Sequence, residues 1–238
     1  MYVTNGFRND GFGAQYQTII YSAIFSQFIN KKFCYTPFKV MEHNYDNDIN
    51  FLSKKESFIN LIDNFPLASN LDNVEELKFQ SICPYIEYNI NYSIQTDIFK
   101  HIKHLFHINK TPKFAKDCKN VAVHIRKINK ADNEGCYNTH YEKDEYYIKS
   151  INRLRSEGDK KIFHIYSQGK EEDFELFKNE DVVFHLDEPL EDTFYDLTTA
   201  DILVMSKGSF SYIAGLLALG EVYYLPFWHP KLNSWKVF

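Results

Sequence analysis

The sequence predicts an α/β protein made of two Rossmann-like, doubly wound halves facing a cleft. Three observations predict it. Short runs rich in β-branched and aromatic residues alternate with amphipathic helical stretches from about residue 120 to residue 225. A strand, glycine loop, helix, strand unit opens the chain. Thr111-Pro112-Lys113 punctuates between the two regions. The chain of 238 residues therefore divides into an N-terminal half, 1–115, and a C-terminal half, 116–238, each within the usual domain range of roughly 50–250 residues.

The opening Met1-Tyr2-Val3-Thr4 suits a first strand. Asn5 to Gly13 follows as a loop rich in turn formers. Residues 14–30 read as a helix, because Tyr16, Ile19, Ile20, Ala23, Ile24 and Phe28 recur at steps of three and four. Lys31 and Lys32 suit its C-terminal dipole, and Phe33-Cys34-Tyr35-Thr36 reads as the second strand. One such βαβ unit implies a parallel sheet. Residues 41–115 are rich in Asn and Asp; amphipathic pieces near 52–64 and 95–107 predict helices among loops.

In the second half, 120–126 is a buried strand and 143–156 a helix with Tyr147, Ile148, Ile151 and Leu154 on one face. Then come a strand at 161–167, a helix at 171–177, a strand at 182–186 and a short helix at 194–199. A strand at 201–206, a helix at 211–219 and a strand at 222–225 complete the alternation of a doubly wound domain.

Composition narrows the function classes. Lys and Arg total 27 against 32 Asp and Glu, a net charge of -5, so nucleic acid is not an expected partner. No apolar run approaches the ~20 residues of a membrane span, and the mean hydropathy is -0.42, so no transmembrane segment is expected. The opening residues lack the pattern of a signal peptide. The four cysteines, Cys34, Cys83, Cys118 and Cys136, form no CxxC pair and read as reduced thiols of a cytoplasmic protein. The Asn-, Lys- and Ile-rich style points to a low-GC genome, bacterial or viral. Phe (21) and Tyr (17) are plentiful and Trp (2) is not, an excess that places rings beside several of the strand ends.

Doubly wound halves bind ligands at the carboxyl ends of their strands, so those ends hold the candidates. Gly11-Phe12-Gly13-Ala14-Gln15 reads either as a turn that needs positive φ or as a backbone cradle for an anion. His124 and Arg126 alternate onto one face at the end of their strand. Arg126 offers a planar fork for phosphate or carboxylate, or a structural ion pair; His124 could equally be a core histidine. Ser206-Lys207-Gly208-Ser209-Phe210-Ser211 is a strand-to-helix turn in which Ser209 or Ser211 caps the helix and hydroxyls and N–H groups could seat a diphosphate. Asp187, Asp192, Phe194, Tyr195 and Asp196 belong to an acidic, aromatic stretch that could hold a base or a ribose, or could be solvated. Ser167, at another strand end, joins the donor-side set.

In this order the motifs resemble the fucosyltransferases that carry a His-x-Arg motif, chiefly the α-1,2-fucosyltransferase family. The matching stretches are Gly11 to Gln15, His124-Ile125-Arg126-Lys127, Asp192-Thr193-Phe194-Tyr195-Asp196-Leu197 and Lys207-Gly208-Ser209-Phe210-Ser211-Tyr212. The likeness spans 118–220 and the opening 35 residues. Where the family has Arg-Gly-Asp after its first arginine, this chain has Lys127-Ile128-Asn129, with Asp132 farther on; Tyr212-Ile213 replaces paired tryptophans, and Ala14 replaces an asparagine.

The resemblance implies a compact GT-B-like enzyme that moves a sugar, fucose from GDP-fucose first, from a nucleoside diphosphate to a glycan hydroxyl with inversion. The N-terminal half is then the acceptor side and the C-terminal half the donor side. Arg126 stabilises the departing phosphate, with Ser209, Phe210 and Ser211 at the diphosphate, and Gly11, Gly13, His124, Ser167, Asp187, Asp192 and Phe194 in the donor site. Asp10 is the first choice of base, ahead of Glu42 and His43. No cofactor and no metal are expected, since Asp46-Asn47-Asp48 reads as a solvated turn. A UDP- or dTDP-linked pentose or deoxyhexose donor, and a non-catalytic glycan- or nucleotide-binding relative, are the alternatives.

Overall fold

The structure, a computed structural model, describes residues 1–44, 47–115, 117–127 and 141–238. Asp46, Ile128, Asn129, Asp132 and Cys136 lie outside the described residues. The chain forms two compact units, Met1–Lys110 and Thr111–Phe238.

The first unit holds a three-stranded parallel sheet in the order β2-β1-β3: β1 is Tyr2–Asn5, β2 Lys32–Cys34 and β3 Val74–Leu77. Helix α1, Phe12–Phe28, connects β1 to β2. It is buried on nearly every side, and two of its hydroxyls are satisfied within the helix: Thr18 Oγ1 donates to Ala14 O at 3.0 Å and Ser26 Oγ to Ala23 O at 2.7 Å. The helix begins two residues before the expected start, so Gly13 is a buried residue of its first turn. Gly11 caps it with φ -68, so no positive φ is needed there. Tyr35 extends β2 only by an isolated bridge to Leu67.

Helix α2, Phe51–Ile59, stops where Asn60 turns left-handed at φ 58. Helices α3, Phe79–Tyr88, and α4, Ile90–Ser93, precede α5, Asp97–His107, whose start is capped by Thr96 Oγ1 accepting from Phe99 N at 3.4 Å. β3 and α3 were not foreseen: β3 sits at a sheet edge with Glu75 and Glu76 exposed, and α3 carries Pro84 inside it.

The second unit is built on a five-stranded parallel sheet in the order β6-β5-β4-β7-β8. The strands are β4 Lys119–His124, β5 Lys161–Ser167, β6 Val182–Leu186, β7 Ile202–Val204 and β8 Glu221–Tyr223. Val121, Val123 and Ile125 are fully buried in its core with Phe163, Ile165 and Val204; each such side chain contributes about 1.5–3 kcal/mol. Helix α6, Asp144–Arg155, packs Tyr147, Ile151 and Leu154 inward. Residues Glu171–Phe177 are a 3-10 helix broken at Phe174, φ -124, rather than an α-helix.

Helix α7 runs Leu190–Thr199, starting four residues earlier than expected. Pro189 stands before its first turn and Glu191 and Asp192 lie in that turn, where the helix dipole favours acids, so the acidic stretch is a helix start and not a loop. Helix α8, Ser209–Leu217, also starts earlier than expected, directly after Gly208. Gly220 lets the chain enter β8: a Cβ there would lie 2.3 Å from Ala200 O. Beyond β8, residues 226–238 fold back, and Lys236 bridges Tyr223 through Tyr224 N→Lys236 O (2.8 Å) and Lys236 N→Val222 O (2.9 Å).

No described helix is long and apolar enough to cross a membrane.

Candidate functional site

The order of the second sheet locates the site. The chain leaves β4 for β5 and β6 on one side, then returns to β7 on the other side of β4, and β8 follows outward. β4 and β7 are therefore the neighbours at which the winding direction changes, and the crevice at their carboxyl ends is where doubly wound sheets bind ligands. His124-Ile125-Arg126 leave β4 there, and Met205 to Gly208 leave β7 there.

Hydrogen bonds lock the two exits together. Arg126 N donates to Ser206 Oγ at 3.2 Å, Tyr147 Oη donates to the same oxygen at 3.0 Å, and Ser206 N donates to Ser211 Oγ at 3.0 Å. Ser206 and Ser211 are fully buried, so Ser211 is a strut inside the turn and not a ligand contact. The chain then passes through Gly208 at φ 120, ψ 158, a region essentially reserved for glycine, and enters α8. The Arg126 guanidinium lies beside this glycine: a Cβ there would sit 3.5 Å from Nη1. The fork of Arg126, the first N–H groups of α8 and the Ser209 hydroxyl thus share one corner, which favours an anion.

His124 stands next to it, packed on Phe210 with ring centroids 5.4 Å apart. Burial, and secondarily the charge of Arg126, push the imidazole pKa from 6.5 down to about 3, so it is neutral at physiological pH. Its buried Nδ1 has no hydrogen-bond partner among the described residues. Ser167 ends β5 and donates from Oγ to Ile125 O at 2.7 Å, steadying the backbone between His124 and Arg126.

Other expected members are placed differently. Phe194 is fully buried and meets Phe210 edge-on, with centroids 5.0 Å apart, so its ring is core and not a stacking surface. Phe12, Tyr195 and Tyr212 are buried as well. Asp192 pairs with Lys113 Nζ at 2.5 Å. Asp187 takes a left-handed turn at φ 53 after β6, with its N donating to Ser167 O at 3.0 Å and its carboxylate accepting from Gly169 N at 3.3 Å. Both aspartates are engaged in turn and ion-pair roles.

In the first unit, Asp10 is gripped by the Arg8 guanidinium through Nε and Nη2, and its carbonyl accepts from Gln15 Nε2 at 2.6 Å. Gly11 lies against His43, since a Cβ on it would meet the imidazole at 3.0 Å. A small recess lies at the carboxyl ends of β1 and β2, lined by Asn5, Arg8, Gln15, Thr36 and Lys39 among others. Gly13, inside α1, has no exposed backbone to offer a ligand.

Two further side chains of the second unit concern the site: Asp196 of the acidic stretch, and His229, which the sequence did not single out. Asp196, 3% exposed, accepts from Tyr166 Oη at 3.0 Å, while its Oδ1 has no partner among the described residues; burial raises its pKa. His229 comes back from the segment after β8 to reach Ser209, with Oγ and Nε2 3.3 Å apart. Among the described residues, no cluster of three or more His, Cys, Asp or Glu side chains could hold a metal ion.

No protein-family model matches the sequence, and no curated protein matches it. Among solved structures, the crystal structure of POFUT1 in complex with GDP is similar at 12% identity and a TM-score of 0.32, over 91% of this chain and 71% of that one. A likeness that weak fixes neither fold nor activity.

Proposed function

We propose that this chain is a glycosyltransferase of GT-B type that takes a nucleoside diphosphate sugar and transfers the sugar, with inversion, to a glycan hydroxyl. The observation that carries the reading is the Arg126 guanidinium set beside Gly208 and the start of α8, at the carboxyl ends of the two strands where the winding reverses. The chemistry of sugar transfer needs charge stabilisation on a departing diphosphate as the glycosidic bond breaks. Arg126 supplies a fixed cation, and the α8 amides and Ser209 supply neutral donors, so the proposed reaction requires no metal. His124, neutral beside Arg126, orients without adding charge. Ser167 holds the Ile125 carbonyl between them.

The motif order makes GDP-fucose the first donor to try. Asp10, oriented by Arg8, is the carboxylate proposed to take the acceptor proton.

The test is binding and turnover with GDP, UDP, dTDP and their sugars, in wild type and Arg126→Ala. Arg126 is only partly buried, so the variant should keep its melting temperature. Losing one well-placed donor to the transition state costs about 3 kcal/mol. Turnover should therefore fall about 10²- to 10³-fold. Near-normal turnover in Arg126→Ala, or no nucleotide binding by the wild type, would overturn the proposal.

A further inference from the structure

We infer that Trp228 is the wall against which the sugar ring of the donor stacks, and that His229 is the positioning residue that holds it there. The inference rests on the nucleotide-sugar reading of the α8 turn and names a subsite of it.

Trp228 is 46% exposed, yet it is not a loosely held surface ring. Its Nε1–H donates to His229 Nε2 at 3.1 Å, and Phe227 packs edge-on against it with centroids 5.0 Å apart. His229 is itself 4% exposed, stacked on Tyr212 with centroids 4.5 Å apart, and its carbonyl accepts from Tyr224 Oη at 2.5 Å. Tyr212 Oη donates to Pro230 O at 3.0 Å, closing the frame. An indole that is about half exposed is thereby fixed within two hydrogen bonds of Ser209, the first residue of α8.

The proton logic at His229 connects the indole to the turn. An indole N–H can only donate, so His229 Nε2 is an acceptor with a single lone pair. The Ser209 hydroxyl, 3.3 Å away, competes with Trp228 for that lone pair. When a phosphate oxygen takes the Ser209 proton, Trp228 still satisfies His229, so engaging the anion leaves no buried nitrogen without a partner. The hydroxyl is available to a diphosphate and the indole stays locked. The group attached to a diphosphate seated at Ser209 is the sugar to be transferred, and an aromatic face recognises the C–H face of a pyranose by dispersion and quadrupole attraction. Tyr212, which stands where the resembled family has the first of its paired tryptophans, is buried and serves as the platform beneath His229.

The test compares GDP with GDP-fucose, and UDP and dTDP with their sugars, by titration calorimetry on wild type, Trp228→Ala and Trp228→Phe. We expect Trp228→Ala, which also removes the donor to His229, to weaken the matching nucleotide sugar about tenfold more than it weakens the nucleoside diphosphate, a difference of 1.4 kcal/mol. Trp228→Phe, which keeps a ring but loses the N–H, should recover most of that factor. The chain has two tryptophans, so Trp235→Phe leaves Trp228 as its single indole. Its fluorescence should respond to the nucleotide sugar and not to the free nucleoside diphosphate.

Equal weakening toward both ligands would overturn the assignment in favour of a wall for the base or phosphate, and no weakening toward either would remove Trp228 from the site. Both outcomes leave the proposed function standing, because wild-type nucleotide binding and Arg126→Ala judge it separately. A wild type that binds none of the nucleotides would overturn both.

Discussion

Replacing Gly208 by alanine probes the turn that brings Arg126 and α8 together. Gly208 sits at φ 120, ψ 158. An L-residue in that region costs on the order of 1–3 kcal/mol. The added methyl would stand 3.5 Å from Arg126 Nη1, an ordinary contact, so sterics add little and the cost is backbone strain. Gly158 is the matched control: its φ is 83 and nothing lies within 4 Å of a Cβ placed there. Its alanine variant should therefore lose about 1–2 kcal/mol from the left-handed backbone alone. Urea denaturation followed by circular dichroism should show both variants with lower midpoints and unchanged m-values. Calorimetry with GDP and UDP should then separate them. Strain relieved at 208 moves Ser209 and the guanidinium neighbour, so Gly208→Ala should lose affinity while Gly158→Ala keeps it. A Gly208→Ala protein with the wild-type urea midpoint would refute the backbone argument. One that is destabilised yet binds with wild-type affinity would refute the turn as the anion seat.

Two further outcomes concern stability. Burial, helped by His185, holds His164 at about 4, and burial, helped by Arg126, holds His124 at about 3, against an ordinary 6.5. Below 6.5 the unfolded chain binds these protons and the folded chain does not, so stability is full above 6.5 and falls with acid, by about 1.4 kcal/mol per pH unit for each imidazole until its folded pKa is reached. Glu56 and Asp196, whose burial raises their pKa, work the other way; the clean measurement is therefore the flattening of the urea midpoint against pH on His164→Gln, and an unchanged slope would contradict the burial argument. Gly220→Ala places a Cβ 2.3 Å from Ala200 O and 2.4 Å from Asp201 O, so backbone must move, at about 1–3 kcal/mol or more; a thermal melt at the wild-type temperature would contradict the close approach at the entry to β8.

The alternation of the second half was legible because β4, β5 and β7 are buried apolar runs separated by polar connections, and burial is what such runs signal. β3 was not legible for the converse reason: Val74-Glu75-Glu76-Leu77 lies at an edge with its glutamates in water, and its pairing with β1 is set by the fold and not by local pattern. The strand-end motifs pointed to Arg126 and the serine turn, and the structure brings the two together because residues next to a switch in winding share a place in space. They misjudged Phe194 and Ser211, because a motif gives residue types and not which side chains the core swallows. Trp228 and His229 gave no signal: their meeting with Ser209 requires the chain to return from beyond β8.

That return has a second consequence. Through Lys236 the same segment lays a short backbone pairing along β8, covering part of an outer strand that would otherwise present bare amides and carbonyls to another chain. Sealing against aggregation and building the proposed sugar wall thus fall to one stretch of thirteen residues, 226–238. A lesion that loosens it, such as a bulky replacement at Gly215, whose Cβ would press Trp235 at 3.1 Å, would expose the sheet's border and unseat the indole in the same event. Solubility and donor affinity should then decline together in such variants.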